Sequence, residues 1–209
     1  MDKSTLLMLM RVPAILLALT IHELSHGYVA RLLGDDTAER NGRLTLNPLA
    51  HLDPFGALML LFGPFGWAKP VPVNPLNFKR PVEGMALVAG AGPLSNIVLA
   101  ACAGLLLRFG IAGASSMAAV FLYILFMINI GIAVFNLLPV YPLDGSRIFL
   151  ALIKAEHRIR YIQIMKVAPK IFLGLILAEW ILNIPLLSYI LNPIFTPAFK
   201  LATAVFIGG

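Results

Sequence analysis

Residues 84–107 run for 24 positions, and residues 109–143 for 35, without one charged side chain. A helix crossing about 30 Å of hydrocarbon takes roughly 20 predominantly apolar residues. The first run therefore fits one crossing, and the second is too long for one. The rest of the chain agrees: 59% of its 209 residues are hydrophobic and 12% charged, against a soluble norm of roughly 25% charged. With a mean hydropathy of +0.88, so few charges cannot cover a water-soluble globule, which excludes an ordinary cytosolic enzyme and a disordered chain. The single cysteine, Cys102, excludes a disulfide framework and a multi-cysteine zinc site. The net charge of +6 is spread over loops instead of forming one basic face, so nucleic acid is not an expected partner.

The sequence predicts an all-helical polytopic membrane protein with about four spans: 4–30, 84–107, about 117–138 after a turn near Gly110–Ser116, and Ile171 to about Leu191. Residues 54–68 are apolar but short and rich in Gly and Pro, which suits a re-entrant or strand-like segment packed against protein. Arg11 followed by Val12–Ile21 has the look of a signal peptide, yet no small-residue cleavage pattern follows, so the segment reads as a retained helix. Lys and Arg gather in two loops, 31–83 and 144–170, which the positive-inside rule assigns to the cytoplasm. The C-terminal end of the first helix, the start of the second and the end of the third then share one membrane face. No repeat or linker divides the chain, so residues 1–209 are expected to form a single domain, its motif-bearing core at about 12–155 and a cytoplasmic loop, last span and tail at 156–209.

The chemistry centres on His22-Glu23-Leu24-Ser25-His26. Histidines at i and i+4 of a helix lie about 40° apart around its axis and one turn apart along it. Both imidazoles can reach one zinc ion, and Glu23 beside them can take a proton from an activated water. Three ionisable groups in a membrane helix are costly unless a metal or an aqueous cavity compensates them. A catalytic zinc takes three protein ligands and one open position. Candidates for the third are His51, Asp53, Asp144, His157 and Glu179. Asp144 is favoured because it follows a long apolar span on the face of His26, where Pro139, Pro142 and Gly145 break the helix. Its structural alternative is a helix N-cap.

Three motifs in order, His22-Glu23-Leu24-Ser25-His26, Gly92-Pro93-Leu94-Ser95-Asn96 and Asn136-Leu137-Leu138-Pro139…Leu143-Asp144-Gly145, resemble those of the site-2 protease family, intramembrane zinc metalloproteases. The resemblance covers roughly residues 12–155 and is to the short, single-domain type without a PDZ domain. It implies one zinc ion per chain held by His22, His26 and Asp144, Glu23 as general acid/base, and Asn136 as donor to the oxyanion. Asn96 matches a polar residue beside the catalytic helices, with substrate contact, oxyanion contact and helix packing all open. The implied activity is hydrolysis of peptide bonds in or next to transmembrane segments of membrane proteins. The alternative is a membrane zinc-binding or zinc-transport protein without protease activity. Expected partners are membrane-protein substrates and the lipid bilayer, and the expected location is a prokaryotic cell membrane with the site toward the cytoplasm.

The remaining polar features have simpler readings. Arg43–Leu46 or Val71–Val73 offers an extended edge on which a peptide could pair, Trp67 and Lys69 suit interfacial anchors, and His51 and Asp53 suit turns or caps. Gly90, Gly92 and Ser95 suggest a close helix contact. Glu179 has no assigned role.

Overall fold

The computed structural model describes residues 3–53, 56, 68–111, 113 and 116–208. Helices α1 (Lys3–Leu32), α3 (Pro81–Arg108) and α4 (Met117–Asn136) match the first three expected spans to within a few residues. Between α1 and α3 lie a short helix α2 (Thr37–Arg40) and two 3-10 turns, Pro48–His51 and Pro75–Asn77. The chain continues through α5 (Asp144–Leu152), α6 (Ala155–Met165), α7 (Ala168–Leu182) and α8 (Leu186–Ala202), ending in a π-helical turn, Thr203–Ile207. Among the described residues there is no strand, only an isolated antiparallel bridge between Leu52 and Ala68. It brackets the expected re-entrant segment, of which all but Gly56 and Ala68 lies outside the described residues, as does Trp67.

Five helical stretches of the described chain are long and apolar enough to cross a membrane: Thr5–Leu32, Pro81–Arg108, Met117–Asn136, Ala155–Glu179 and Leu186–Ile207. The difference from the expected four arises after Leu152, because the fourth stretch begins at Ala155, inside the loop expected at 144–170, and ends at Glu179. The predicted span to Leu191 is broken at Asn183, whose φ of 52° ends α7 in the left-handed region. Pro185 then starts a new direction, and the tail becomes α8. Both residues are helix terminators, Asn because it tolerates the left-handed turn and Pro because it has no N–H to donate.

Helix α3 is central, packed against α1, α4 and α5, while α8 and the π-helical turn lie on α4 and α3. Small residues permit this closeness. Ala14, Ala100, Ala103 and Ala202 join Leu125, Phe126 and Ile130 in one buried cluster, and a Cβ at Gly104 would meet Phe206 at 2.8 Å. In lipid, where neighbouring helices gain no hydrophobic driving force, such small-residue contacts carry association. Glu179 finds a local role: its carboxylate accepts the N–H of Leu187 at 2.8 Å, satisfying a free donor in the first turn of α8.

Candidate metal centre

His22 and His26 lie one turn apart on the buried face of α1. Their Nε2 atoms are 3.0 Å from each other, and Asp144 Oδ2 is 3.2 Å from the first and 3.3 Å from the second. Among the described residues these three form the one group of His, Cys, Asp or Glu able to hold a metal ion. Asp144 reaches them because α4 ends at Asn136 and the proline-containing turn leads straight into α5, whose first residue it is. Gly145 makes the turn possible, since a Cβ there would collide with the carbonyl oxygens of Leu137 and Leu138.

The outer nitrogens of the imidazoles decide what the inner ones can do. His26 Nδ1 lies 2.7 Å from the carbonyl oxygen of Val88, which can only accept, so Nδ1 carries the hydrogen. His22 Nδ1 likewise donates to the side-chain oxygen of Asn96 at 2.6 Å. In neutral imidazoles both Nε2 atoms are then acceptors, and they converge with a buried carboxylate oxygen that accepts no hydrogen bond. Three acceptors facing one point need a positive charge at its centre, a proton or a metal ion. Their separations of 3.0, 3.2 and 3.3 Å approach the edge of a tetrahedron around zinc, about 3.3–3.4 Å for bonds of about 2.0–2.1 Å. Two imidazoles and a carboxylate are also a recognised zinc donor set. The residues present fit the ion.

Helix α3 closes the site from the other side. A Cβ at Gly92 would lie 2.5 Å from both Cε1 and Nε2 of His26 and 2.6 Å from Cε1 of His22, so this position has room only for hydrogen. Gly90, by contrast, faces open space, and Ser95 turns its hydroxyl to the Gly92 carbonyl at 2.7 Å. The close contact foreseen around Gly90, Gly92 and Ser95 is made by Gly92.

Glu23 is half-buried, and its Oε2 accepts the N–H of Val71 at 2.9 Å. Val71 belongs to an extended segment, 68–74, fastened at both ends. The buried Arg43 donates to the carbonyls of Lys69 at 2.6 Å and Pro70 at 3.1 Å. Asp35, fully buried, accepts the N–H of Asn74 at 2.7 Å and the amide of Asn77 at 2.6 Å, together with the hydroxyl and N–H of Thr37. Burial raises the Asp35 carboxyl, but the hydrogen bonds from Thr37, Asn74 and Asn77 outweigh it and hold it below its ordinary value.

The other candidates are elsewhere. His51 is buried with Nε2 2.8 Å from the Thr45 carbonyl oxygen. Asp53 accepts the N–H of Gly56 at 2.9 Å in a turn, and His157 is exposed beside Glu156 at 3.5 Å. Asn136 donates to the Ile132 carbonyl at 3.0 Å, one turn back in its own helix. Asn96 is fully buried behind His22 and donates 2.7 Å to the side-chain oxygen of Asn129. Asn129 was not singled out in the sequence. An Asn inside an uncharged membrane helix, two turns before Asn136, is the signal that marks it.

Comparisons with known proteins give the chain's family. Residues 109–178 match the model of peptidase family M50. The chain is 40% identical over 203 residues to "Putative zinc metalloprotease YwhC" of Bacillus subtilis (strain 168), covering 92% of this chain and 90% of that one. It is 32% identical over 138 residues to "Putative zinc metalloprotease Rip2" of Mycolicibacterium smegmatis, covering 62% of this chain and 52% of that one. No solved structure matches it. With a relative so similar along nearly its whole length and a family match spanning the Asn136 and Asp144 motifs, the chain belongs to peptidase family M50, the site-2 proteases, and is a metalloprotease.

Proposed function

We propose that this protein is a multi-pass intramembrane zinc metalloprotease that hydrolyses peptide bonds in or next to transmembrane segments of other membrane proteins, at a site opening toward the cytoplasm of a prokaryotic cell. The observation that carries the reading is the convergence of His22 Nε2, His26 Nε2 and Asp144 Oδ2 within 3.3 Å of one another, with Glu23 on the same helix. His22, His26 and Asp144 hold one zinc ion. When bound there, zinc supplies Lewis acidity to activate water and polarise a carbonyl.

The protein's own groups do the rest. Glu23 takes a proton from the attacking water and returns it to the departing amine, as a general base and then acid. The Val71 N–H holds its carboxylate by one oxygen and leaves the other free for that proton. Asn136 spends one amide hydrogen on Ile132, and its second N–H is the candidate donor to the oxyanion. A substrate helix hides its carbonyls in internal hydrogen bonds, so it must unwind locally before cleavage.

Zinc transport is the weaker reading. A relay of ligand sites would have to cross the bilayer, and one three-ligand group is present among the described residues. Metal analysis and cleavage of a membrane-protein substrate by the purified protein test the proposal. Wild type is expected to hold one zinc per chain and cleave; His22→Ala and Asp144→Ala lose both. Wild-type cleavage by a zinc-free Asp144→Ala variant would sink it.

A further inference from the structure

Behind His22 a file of hydrogen bonds crosses three helices. His22 Nδ1 donates to Asn96 Oδ1 at 2.6 Å. Asn96 Nδ2 donates to Asn129 Oδ1 at 2.7 Å and to the carbonyl of Ala18 at 3.2 Å. Asn129 Nδ2 donates to the carbonyl of Leu125 at 2.8 Å. Asn96 and Asn129 are both fully buried. An amide side chain can be turned end for end, and its direction is set only by what surrounds it. Here the two backbone carbonyls set it, because a carbonyl can only accept. The Leu125 carbonyl forces the NH2 of Asn129 toward α4's own backbone and its oxygen toward Asn96. The Ala18 carbonyl and that oxygen together force the NH2 of Asn96 away from His22. What remains facing His22 is an oxygen, so Nδ1 must carry the hydrogen and Nε2 must present its lone pair.

We infer that Asn129 and Asn96 form a polarity relay, anchored on the Leu125 and Ala18 carbonyls, that sets the tautomer and ring orientation of His22 for metal binding. Both are positioning residues: neither Asn129 nor Asn96 supplies a ligand atom. The inference rests on the proposed zinc reading of His22, His26 and Asp144. It assigns Asn129 a part in the centre although its side chain, among the described residues, bonds to Asn96 and the Leu125 carbonyl and not to a ligand. Hydrogen-bond partners of ligating histidines typically tune metal affinity by about 10–100-fold. His26 is oriented by a backbone carbonyl, which no side-chain substitution removes, so His22 is the ligand whose orientation depends on side chains.

The test uses the full-length protein in detergent, with zinc affinity measured by chelator competition and the visible spectrum of the cobalt(II)-substituted site as readouts. Asn96→Leu is expected to weaken zinc binding about 10–100-fold, and Asn129→Leu about 10-fold, each with an altered cobalt spectrum. Asn129→Asp keeps the acceptor for Asn96 but loses the donor to the Leu125 carbonyl, and is expected to bind zinc more tightly than Asn129→Leu and less tightly than wild type. Asn129→Ala repeats the deletion should the leucine variant fail to fold. Wild-type affinity and spectrum in Asn129→Leu or Asn129→Ala, with only thermal stability changed, would show that the pair merely packs and would overturn the relay. Failure of wild type to bind either metal, or unchanged affinity in His22→Ala, would instead overturn the zinc reading beneath it.

Discussion

The carboxylate of Glu23 and the backbone N–H of Val71 meet at 2.9 Å across 48 positions of sequence. The contact ties the group proposed to move the proton to an extended segment outside its helix. Holding one carboxylate oxygen lowers the freedom of the other, which is the geometric requirement for proton transfer at a fixed distance. Glu23→Gln keeps an oxygen able to accept from Val71 but cannot take a proton. It is expected to retain zinc and lose about 10²–10⁴-fold in cleavage rate, read by metal analysis and a single-turnover assay with a membrane substrate.

Arg43 stands one step behind that contact. Its guanidinium holds the carbonyls of Lys69 and Pro70, and so sets where the Val71 N–H lies. Arg43→Ala is expected to lower the cleavage rate while leaving zinc content intact, with a stability cost of about 1–3 kcal/mol from the unpaired carbonyls. Arg43→Lys is expected to restore little, because a single ammonium does not reproduce the planar fork that spans two acceptors. Cleavage rate, zinc content and thermal melting on the same preparations check both.

Gly92 gives a steric test of the metal centre. A methyl carbon at this position would come within 2.5 Å of the His26 ring, so Gly92→Ala must push α3 or the imidazoles aside. Overpacking of this kind costs about 1–3 kcal/mol. Zinc affinity is expected to fall, whereas Gly90→Ala, which meets open space, retains it. Chelator competition on the two variants decides the matter.

Asp35 makes a prediction in pH. Its folded-state carboxyl is held below the ordinary value of 3.8, so the stability it contributes is fully present above 3.8 and is lost as pH falls through the folded value. Asp35→Asn cannot accept at two oxygens and is expected to melt lower than wild type at neutral pH. The gap should narrow on acidification below 3.8, as followed by thermal unfolding in detergent.

Glu179 is expected to matter for stability alone. Removing the acceptor for the Leu187 N–H by Glu179→Ala should destabilise the protein by about 0.5–2 kcal/mol, the usual range for a lost helix cap, with zinc content unchanged. Thermal melting and metal analysis separate this from a role in the centre.

What the sequence could determine by itself was local. Uncharged runs of 24 and 35 residues, read against the thickness of a bilayer, located α3 and α4 nearly to their ends, and the apolar stretch before His22 did the same for α1. The i, i+4 spacing of His22 and His26 placed two imidazoles on one helix face because an α-helix turns once in about 3.6 residues. The charge and proline pattern around Asp144 pointed to a turn, and span order put that turn on the histidines' side.

Tertiary structure decided everything that joins residues far apart in the chain. Asp144 was one of five candidate third ligands until packing of α5 against α3 brought it within 3.3 Å of both imidazoles, leaving His51, Asp53, His157 and Glu179 with other partners. The same holds for Asn96 with Asn129, and for the segment 68–74 held by Arg43 and Asp35. An extended strap has no periodicity to read, and an amide in an apolar helix announces only that it needs a partner. Which partner it finds depends on how closely helices approach, and here that distance is set by glycine and alanine, residues whose contribution lies in the space they leave.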